Sequence, residues 1–201
     1  MLYHLNVKTT TFVNRNTDLF RRIQAQLIAA DRKKLKILQV GPGMATKFVG
    51  RFNDYGRWRP VKRLETVLRR LPLPDACYEN YETGELLSVF RAHEPELTVA
   101  DIARKPLNVV ARNFRDAPVM TVRLDLSDRR AGESAGLLGK FDLVVCMATV
   151  VRVPRKLQGT ALENLVKFAA PGGLIVTDQD MTGCGMARIE GISHVFRKPA
   201  D

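Results

Sequence analysis

The chain has 201 residues, 45% of them hydrophobic, and carries a formal net charge of +11. This length suits one α/β domain with a sizeable core, spanning residues 1–201, more than two domains. No apolar run approaches the roughly 20 residues that cross a bilayer, and residues 1–8 lack the apolar stretch of a secretory signal. The three cysteines are widely spaced, which argues against a disulfide framework and favours a reducing, cytoplasmic compartment.

The high positive charge narrows the choice of partners. Such a field attracts nucleic acid, acidic protein segments or an anionic membrane face. The charge is clustered in residues 57–70 and 32–36, and we interpret it mainly as a solvated basic surface. Nucleic acid stays open as a partner, although no nucleic-acid-binding motif accompanies the charge, and an acidic acceptor would also suit it. The histidines and cysteines are scattered along the chain, so we expect no metal site.

The first segment, residues 1–34, is predicted to be an N-terminal helical extension. Asn16 or Thr17 is a candidate helix cap, and apolar residues then recur at helical spacing. These residues are Leu19, Phe20, Ile23, Leu27 and Ala30. We expect this helix to pack on an edge or a face of the domain.

A short apolar run, Leu35–Val40, follows and predicts a buried strand of a parallel sheet. It ends at Gly41-Pro42-Gly43, where glycine lets the backbone turn sharply and approach a ligand closely. A strand that runs into a glycine turn is where an open α/β sheet usually places a nucleotide-like cofactor. An ordinary strand-to-loop turn would give the same pattern, so this stretch alone leaves both interpretations open.

Residues 44–81 interrupt the basic α/β arrangement and are predicted to be a basic, helical insertion. Pro60 suits the first position of a helix with apolar residues on one face. Those apolar residues are Val61, Leu64, Leu68 and Leu71. A helix over 83–92 then leads into a second strand over 97–100, which ends at Asp101. We expect this second helix to be the crossover between the first two strands of the sheet.

The remaining chain alternates between strands and helices. Strands are predicted over Val119–Leu124, Phe141–Cys146, 174–178 and 195–198, helices over 106–114 and 154–170, and a turn at 171–173. Such alternation predicts a parallel sheet with helices on both faces.

Polar groups follow the first three predicted strands and meet at the same edge of such a sheet. A carboxylate after the second strand, here Asp101, is the usual group that accepts hydrogen bonds from both hydroxyls of a ribose. After the third strand, Asp125 would accept from an adenine amino group and the Leu126 N–H would donate to the ring. Cys146 and Met147 would close the pocket from the fourth strand. Each aspartate alone could equally cap a turn, whereas the ordered set favours cofactor binding.

Five motifs occur in order along the chain. They are V-G-P-G at 40–43, V-A-D-I at 99–102, R-L-D-L at 123–126, K-F-D-L-V-V-C at 140–146 and A-P-G-G-L-I-V-T-D at 170–178. Together they resemble the successive motifs of class I S-adenosylmethionine-dependent methyltransferases, and an ordered set is more specific than any single motif. The resemblance implies a Rossmann-like, mostly parallel, seven-stranded sheet with an antiparallel last strand, and S-adenosylmethionine as cofactor. The residues it implies in binding are Gly41, Pro42, Gly43, Asp101, Ile102, Asp125, Leu126, Cys146 and Met147.

Four further motifs are similar to those of the chemotaxis-receptor glutamate methyltransferases. They are T-T-T-F-V-N-R at 9–15, T-G-E at 83–85, A-D-I-A at 100–103 and H-V-F-R-K-P at 194–199. This weaker resemblance implies that Glu82 or Glu85 approaches the cofactor's ammonium group. The chain departs from that branch by the insertion before T-G-E and by Met147-Ala148-Thr149, where the branch has an Arg-Asn pair. Gln39 also stands where the wider family often has an acidic residue.

The resemblance implies methyl transfer from a sulfonium to a nitrogen, oxygen or carbon nucleophile. A protein side chain or small molecule is favoured as acceptor over a nucleic-acid base, because no Asn-Pro-Pro-Tyr or Asp-Pro-Pro-Tyr follows the fourth strand. Such enzymes often act by proximity and alignment, so we assign no catalytic residue. The alternative is a non-catalytic binding or scaffold protein with the same fold, which Gln39 and Met147 support. A nicotinamide-dependent oxidoreductase is disfavoured because Thr46 breaks the G-x-G-x-x-G pattern. The sequence identifies neither the acceptor nor the oligomeric state.

Overall fold

The computed structural model describes residues 8–28, 34–47, 67, 71 and 73–200. The strands are β1 Lys36–Val40, β2 Ala45–Thr46, β3 Tyr78–Glu79, β4 Glu96–Asp101, β5 Val119–Arg123, β6 Phe141–Cys146, β7 Ala169–Thr177, β8 Ala187–Arg188 and β9 Val195–Arg197. The helices are α1 Lys8–Ile28, α2 Tyr81–Val89, α3 Arg104–Asn113, α4 Ala131–Ser134 and α5 Gln158–Phe168. None of these helices has the length and apolar character that crossing a membrane requires.

Seven strands form one sheet in the order β5-β4-β1-β6-β7-β9-β8. β1 pairs in parallel with β4 on one side and with β6 on the other, while β5 and β7 extend the parallel sheet outwards. β9 runs antiparallel to both of its neighbours, β7 and β8. The predicted Rossmann-like, mostly parallel, seven-stranded sheet with an antiparallel last strand is therefore confirmed. The helix between β1 and β4 is the predicted crossover, now bounded as α2.

Helices cover both faces of the sheet because successive strand residues point to opposite sides. On one face, Ile37 and Val99 pack with Phe20 of α1, Leu86 of α2 and Val110 of α3. The other face packs against α5, with a second buried cluster at its centre. That cluster includes Leu38, Val144, Cys146, Ile175, Ala161, Leu165 and Phe168. This two-faced burial explains why the strands appear in the sequence as short apolar runs.

The first helix is longer than its sequence pattern predicts. α1 begins at Lys8, so the expectation of a helix capped at Asn16 or Thr17 is wrong, because both residues lie inside the helix. The predicted inward face is confirmed at Phe20, Ile23 and Leu27, all of which are buried.

The last predicted helix and the turn after it also differ from expectation. A single 3-10 turn spans Arg155–Leu157, and α5 follows directly, ending at Phe168. Residues 171–173 are part of β7 and not a turn before a strand. The strand continues through them because the Gly172 N–H donates to the Pro199 carbonyl and the Gly173 carbonyl accepts the Lys198 N–H. Both positions require glycine, since Gly172 adopts a φ of +68° and a Cβ on Gly173 would lie only 2.8 Å from the Ala170 carbonyl oxygen. The β6–β7 register shifts at this point, between Phe141 and Leu143.

The predicted helical insertion over 44–81 falls largely outside the described residues, including the helix expected from Pro60 and the basic cluster over 57–70. At the two described ends of this segment, β2 and β3 pair as a small antiparallel ribbon, with Ala45 opposite Glu79. The ends of the insertion are therefore strands and not helix, and they lie side by side.

Candidate cofactor site

The candidate site lies at the carboxyl edge of the sheet, where β1 separates the two halves of the strand order. β1, β4, β5 and β6 are parallel, so their carboxyl ends meet at this edge. In an open α/β sheet, the crevice at such a switch point is the usual place for a ligand. The residues predicted after the first four strands are therefore brought to one edge.

The glycine turn after β1 has the backbone geometry that its sequence requires. Gly41 and Gly43 adopt φ angles of +71° and +59°, which residues with a Cβ rarely adopt. The Gly41 N–H donates to the Ala100 carbonyl at the end of β4, at 2.8 Å. The Asn80 side-chain amide donates to the Gly43 carbonyl. The turn is thus held from β4 on one side and from the start of α2 on the other.

Asp101 ends β4 as a buried carboxylate, with 6% of its surface exposed. Its Oδ1 accepts the Ala103 N–H at 2.8 Å, so the carboxylate does stabilise the turn that follows, as the structural interpretation predicted. The next residue, Ile102, is 45% exposed. An exposed isoleucine beside a buried carboxylate combines an apolar surface with a hydrogen-bond acceptor, which is the pairing that a nucleoside base and its ribose require.

Asp125 follows β5 and is exposed. Its Oδ1 accepts from the Ser127 N–H at 2.9 Å and from the Ser127 hydroxyl at 2.6 Å, so this carboxylate also fixes its own turn. The Leu126 side chain is buried, and its carbonyl accepts the Asn164 side-chain amide at 3.0 Å. The same amide donates to the Asp128 carbonyl at 2.7 Å. Asn164 therefore holds the 125–128 loop in place from α5.

Cys146 ends β6 and Met147 follows it, and both side chains are buried in the protein. Cys146 is fully buried and Met147 is 7% exposed. Burial raises the pKa of the Cys146 thiol, and the negative charges of Asp178 and Glu82 raise it further. The thiol therefore stays protonated at neutral pH, which removes it as a nucleophile. Across the described residues, His, Cys, Asp and Glu side chains form no group of three that could hold a metal ion.

Gln39 is buried at the end of β1 and contacts the start of α2. The Thr83 hydroxyl donates to the Gln39 Oε1 at 2.7 Å. Glu82 is partly buried as a residue, but its Oε1 is shielded from solvent. Burial raises the pKa of Glu82 to about 7, and hydrogen bonding from Gln39 opposes this shift to a smaller extent. Apart from this contact between Gln39 and Glu82, neither the Gln39 Nε2 nor the Glu82 Oε1 has a hydrogen-bond partner within the described part of the chain.

Glu85, the glutamate within the T-G-E motif, faces α1 instead. It accepts a hydrogen bond from the Thr17 hydroxyl. Burial raises the pKa of Glu85 to about 8; Glu82 and Asp18 raise it further, while Arg21 lowers it. Of the two glutamates that the resemblance implied, these contacts favour Glu82 as the one nearer the glycine turn.

Three residues of this region were not assigned a role from the sequence. Asn80 binds the glycine turn, as described above. Thr149 follows β6 and packs directly on Gly41. Asp178 follows β7, and its Oδ1 is buried without a hydrogen bond among the described residues. Asp178 is the last residue of the strand predicted over 174–178, which is the local signal that could have identified it, whereas Asn80 and Thr149 carry no local signal.

Comparison with solved structures finds several methyltransferases that align with this chain. The chain aligns with the trans-methyltransferase CalH, solved in complex with SAH, at a TM-score of 0.55 and 16% identity, covering 85% of this chain and 38% of CalH. It also aligns with the CurJ carbon methyltransferase at 0.49 and 12%, covering 84% and 49% of the two chains. A third match is an S-adenosylmethionine-dependent methyltransferase from Clostridium acetobutylicum ATCC 824, at 0.47 and 13%, covering 80% and 48%. Of these three, CalH alone exceeds a TM-score of 0.5.

The match to CalH, with the strand order, shows that the chain has the fold of the class I S-adenosylmethionine-dependent methyltransferases. The chain spans less than half the length of each of the three proteins. No family model matches the sequence, and neither does any curated protein. The comparisons give no support to the weaker resemblance to the chemotaxis-receptor branch.

Proposed function

We propose that this protein is an S-adenosylmethionine-dependent methyltransferase whose acceptor is a protein side chain or a small molecule. The observation that carries the proposal is the convergence of three features at the switch point of a sheet with methyltransferase order. They are a glycine turn in the left-handed region, the buried Asp101 carboxylate and the exposed Ile102 side chain. A crevice with this set of groups suits an adenosine-containing ligand.

The residues present fit S-adenosylmethionine on a further ground. The Asp178 Oδ1 is a buried acceptor that lacks a hydrogen bond within the described ranges. Buried polar atoms of this kind need a partner, and a cationic ligand group supplies one. Gly41 and Gly43 would accommodate the cofactor against the backbone, Asp101 would accept from the ribose hydroxyls and Ile102 would contact the adenine ring. Asp125 and the Leu126 backbone would meet the edge of the ring.

S-adenosylmethionine supplies an electrophilic methyl group on a positively charged sulfur. The protein's own contribution is to bind and orient the reactants and to exclude water, which can account for most of the rate enhancement in a direct transfer. No side chain of the described site is required as a nucleophile, in keeping with the protonated, buried Cys146. The basic surface suggested by the net charge of +11 suits an acidic acceptor.

The test is calorimetric titration of the protein with S-adenosylmethionine, S-adenosylhomocysteine and NADH, repeated on Asp101→Asn. Asparagine can still accept the Ala103 N–H but loses the charge, so we expect a loss of affinity of about tenfold to a hundredfold for the first two ligands. Asp116→Asn is the matched control, because Asp116 is an exposed surface aspartate. Failure to bind either adenosyl ligand, or a preference for NADH, would overturn the proposal.

A second measurement separates the enzyme from the non-catalytic alternative. Protein that binds S-adenosylmethionine is incubated with methyl-labelled cofactor and fractionated acidic proteins, peptides and metabolites. Transfer of label to any of these supports the enzyme. Binding without transfer to any acceptor class would favour a binding or scaffold protein.

A further inference from the structure

The aspartate that follows β7 is not used to fix its own turn, unlike the other two aspartates at this edge of the sheet. Asp101 and Asp125 each accept the backbone N–H of the residue two positions further along the chain. After β7 the Thr177 hydroxyl performs this task, accepting the Gln179 N–H at 3.3 Å. The Asp178 carboxyl is therefore available for another role.

One oxygen of that carboxyl is enclosed by the protein and has no donor. Asp178 is partly buried as a residue, and its Oδ1 is shielded from solvent without a hydrogen-bond partner among the described residues. Asp180, in the same loop, shows the ordinary arrangement. It is exposed, and its Oδ1 accepts from the Thr182 N–H at 3.1 Å and from the Thr182 hydroxyl at 3.0 Å. A shielded carboxylate oxygen is unfavourable unless a donor replaces the lost water, so the Asp178 Oδ1 calls for a donor from a ligand.

The strand order places Asp178 on the side of the crevice away from the proposed nucleoside contacts. Asp101 and Asp125 follow β4 and β5, on one side of β1, whereas β6 and β7 lie on its other side. The register pairs Cys146 of β6 with Thr177, the residue before Asp178. Burial, and after it the negative charge of Asp178, raises the pKa of the Cys146 thiol, which shows that the two side chains are close. A ligand with its adenosine over β4 and β5 thus extends across the glycine turn towards Asp178.

The chemistry of methyl transfer decides which acceptor suits a carboxylate at this place. When an amine attacks, an N–C bond forms, the C–S bond breaks with its electron pair on sulfur, and the nitrogen takes up the positive charge. The methylated nitrogen then releases one proton to the solvent. A hydrogen bond from the amine N–H to a carboxylate strengthens as this charge develops, which stabilises the transition state.

Other acceptors fit the same carboxylate poorly. A carboxylate acceptor has no hydrogen to donate to Asp178 and brings a second negative charge beside the first. A hydroxyl acceptor has to lose its proton during the transfer, and a carboxylate is a weak base for that step. The sulfonium of the cofactor offers a positive charge but no hydrogen, so it leaves the hydrogen bond of the Asp178 Oδ1 to the acceptor.

We propose that the Asp178 carboxylate accepts a hydrogen bond from the N–H of the methyl acceptor, and that this acceptor is an amine. The inference rests on the proposed function and deepens it, because it names the atom that is methylated. Asp178 is then a catalytic residue, since it touches the reacting nitrogen. The basic surface remains suited to an acidic molecule, whose amino group is the part that reaches Asp178.

The first experiment needs no acceptor. Sinefungin is a cofactor analogue in which an amino-bearing carbon replaces the methyl-bearing sulfur, so it places N–H donors near the position of the reacting nitrogen. S-adenosylhomocysteine has the same α-amino group but nothing at the methyl position. In calorimetric titrations we expect sinefungin to bind about tenfold or more tightly than S-adenosylhomocysteine. In Asp178→Asn, which keeps the size of the side chain but loses its charge, this ratio should fall to about threefold or less.

Asp180→Asn is the matched control, because this exposed carboxyl already contacts Thr182 and Arg188. It should keep the ratio of the unmodified protein. A second measurement needs no variant, and so it holds even if Asp178→Asn fails to fold. Acidic proteins and peptides that take up label from methyl-labelled S-adenosylmethionine are analysed by mass spectrometry, which should place the methyl group on nitrogen.

The possible failures are distinguishable. Equal binding of sinefungin and S-adenosylhomocysteine by the unmodified protein, or a preference for sinefungin that persists in Asp178→Asn, would overturn this inference and leave the proposed function intact. A methyl group found on oxygen or carbon would do the same. Absence of binding of S-adenosylmethionine, S-adenosylhomocysteine and sinefungin to the unmodified protein would instead overturn the proposed function, and this inference with it.

Discussion

The Thr149 side chain occupies the space that a Cβ on Gly41 would need. Gly41 follows β1 and Thr149 follows β6, so the loops at the ends of two neighbouring strands are packed against each other. The Thr149 hydroxyl also lies 3.3 Å from the carbonyl of Val40, the last residue of β1, and 3.2 Å from the carbonyl of Met147, the residue after β6. The shape of the glycine turn therefore depends on a residue far away in the sequence.

Gly41→Ala should destabilise the turn for two reasons. A φ of +71° is unfavourable for alanine, by about 1–2 kcal/mol, and the new methyl group would overlap Thr149. We expect a loss of unfolding free energy of at least that size in urea titrations, together with weaker binding of S-adenosylmethionine. Gly159→Ala is the control, because nothing lies within 4 Å of a Cβ at this helical position. A Gly41→Ala protein as stable as Gly159→Ala would contradict the packing described here.

Thr149→Val tests the hydroxyl apart from the shape of the side chain. Valine has nearly the same volume but cannot donate to the Val40 or Met147 carbonyl, so we expect a loss of about 1 kcal/mol in unfolding free energy. Thr149→Ser keeps the donor and should retain more of the affinity for the cofactor than valine does. Calorimetric titration of both variants with S-adenosylmethionine checks this order of affinities. The reverse order would show that the methyl group, and not the hydroxyl, positions the turn.

Stability should fall as the pH rises from mildly acidic to mildly alkaline values, because of the two glutamates of α2. Their pKa values are raised from 4.5 to about 7 for Glu82 and about 8 for Glu85, chiefly by burial. The folded protein then holds protons more tightly than the unfolded chain, so this contribution is complete below about pH 4.5 and is lost as the pH rises through the folded values. Urea titrations at pH 5, 6.5 and 8 measure how the unfolding free energy changes with pH.

Replacing both glutamates by glutamine should flatten this pH dependence, since the amide does not titrate. Glu163→Gln, on the exposed side of α5, serves as the control and should leave the slope as it is. An unchanged slope in the double variant would mean that other groups cause the pH dependence.

Asn164→Ala should loosen the loop that follows β5. The Asn164 amide donates to both the Leu126 and the Asp128 carbonyl and is itself buried. Losing one buried donor that serves two acceptors should lower the unfolding free energy by about 1–3 kcal/mol. Urea titration measures the cost, and hydrogen exchange should show faster exchange in residues 125–128. Ser134→Ala, at an exposed position on α4, should change neither the unfolding free energy nor the exchange in residues 125–128. If exchange in the loop stays slow, its order does not depend on Asn164.

The strands of this fold could be predicted because most of them are buried on both faces. Such strands form largely apolar runs, and β6 was bounded from Phe141 to Cys146 as the structure has it. The glycine turn and Asp101 were found because each directly follows such a run. Where a pattern depends on a residue type alone, prediction was weaker. Pro171-Gly172-Gly173 is typical of a turn, but backbone hydrogen bonds of Gly172 with Pro199 and of Gly173 with Lys198 hold it in β7.

The relationships that shape the site could not be predicted in the same way. Gln39 meets Thr83, and Gly41 meets Thr149, across long stretches of chain and through side-chain packing. The periodicity of a short stretch of sequence does not indicate such long-range contacts. The T-G-E motif pointed to Glu85, yet the helix carrying it is rotated so that Glu85 faces Thr17 of α1. The packing of α2 against β1 and α1, through contacts such as Thr83 with Gln39 and Glu85 with Thr17, decides the direction in which each glutamate faces.

The ribbon of β2 and β3 has a consequence for how this domain tolerates change. Thr46 and Tyr78 are register partners across this ribbon, and Asn80 then binds the glycine turn. The two ends of the intervening segment are thus held side by side, and closing a segment of twice the length costs only about 0.6 kcal/mol more. A change in the number of residues between Thr46 and Tyr78 should therefore leave the glycine turn in register.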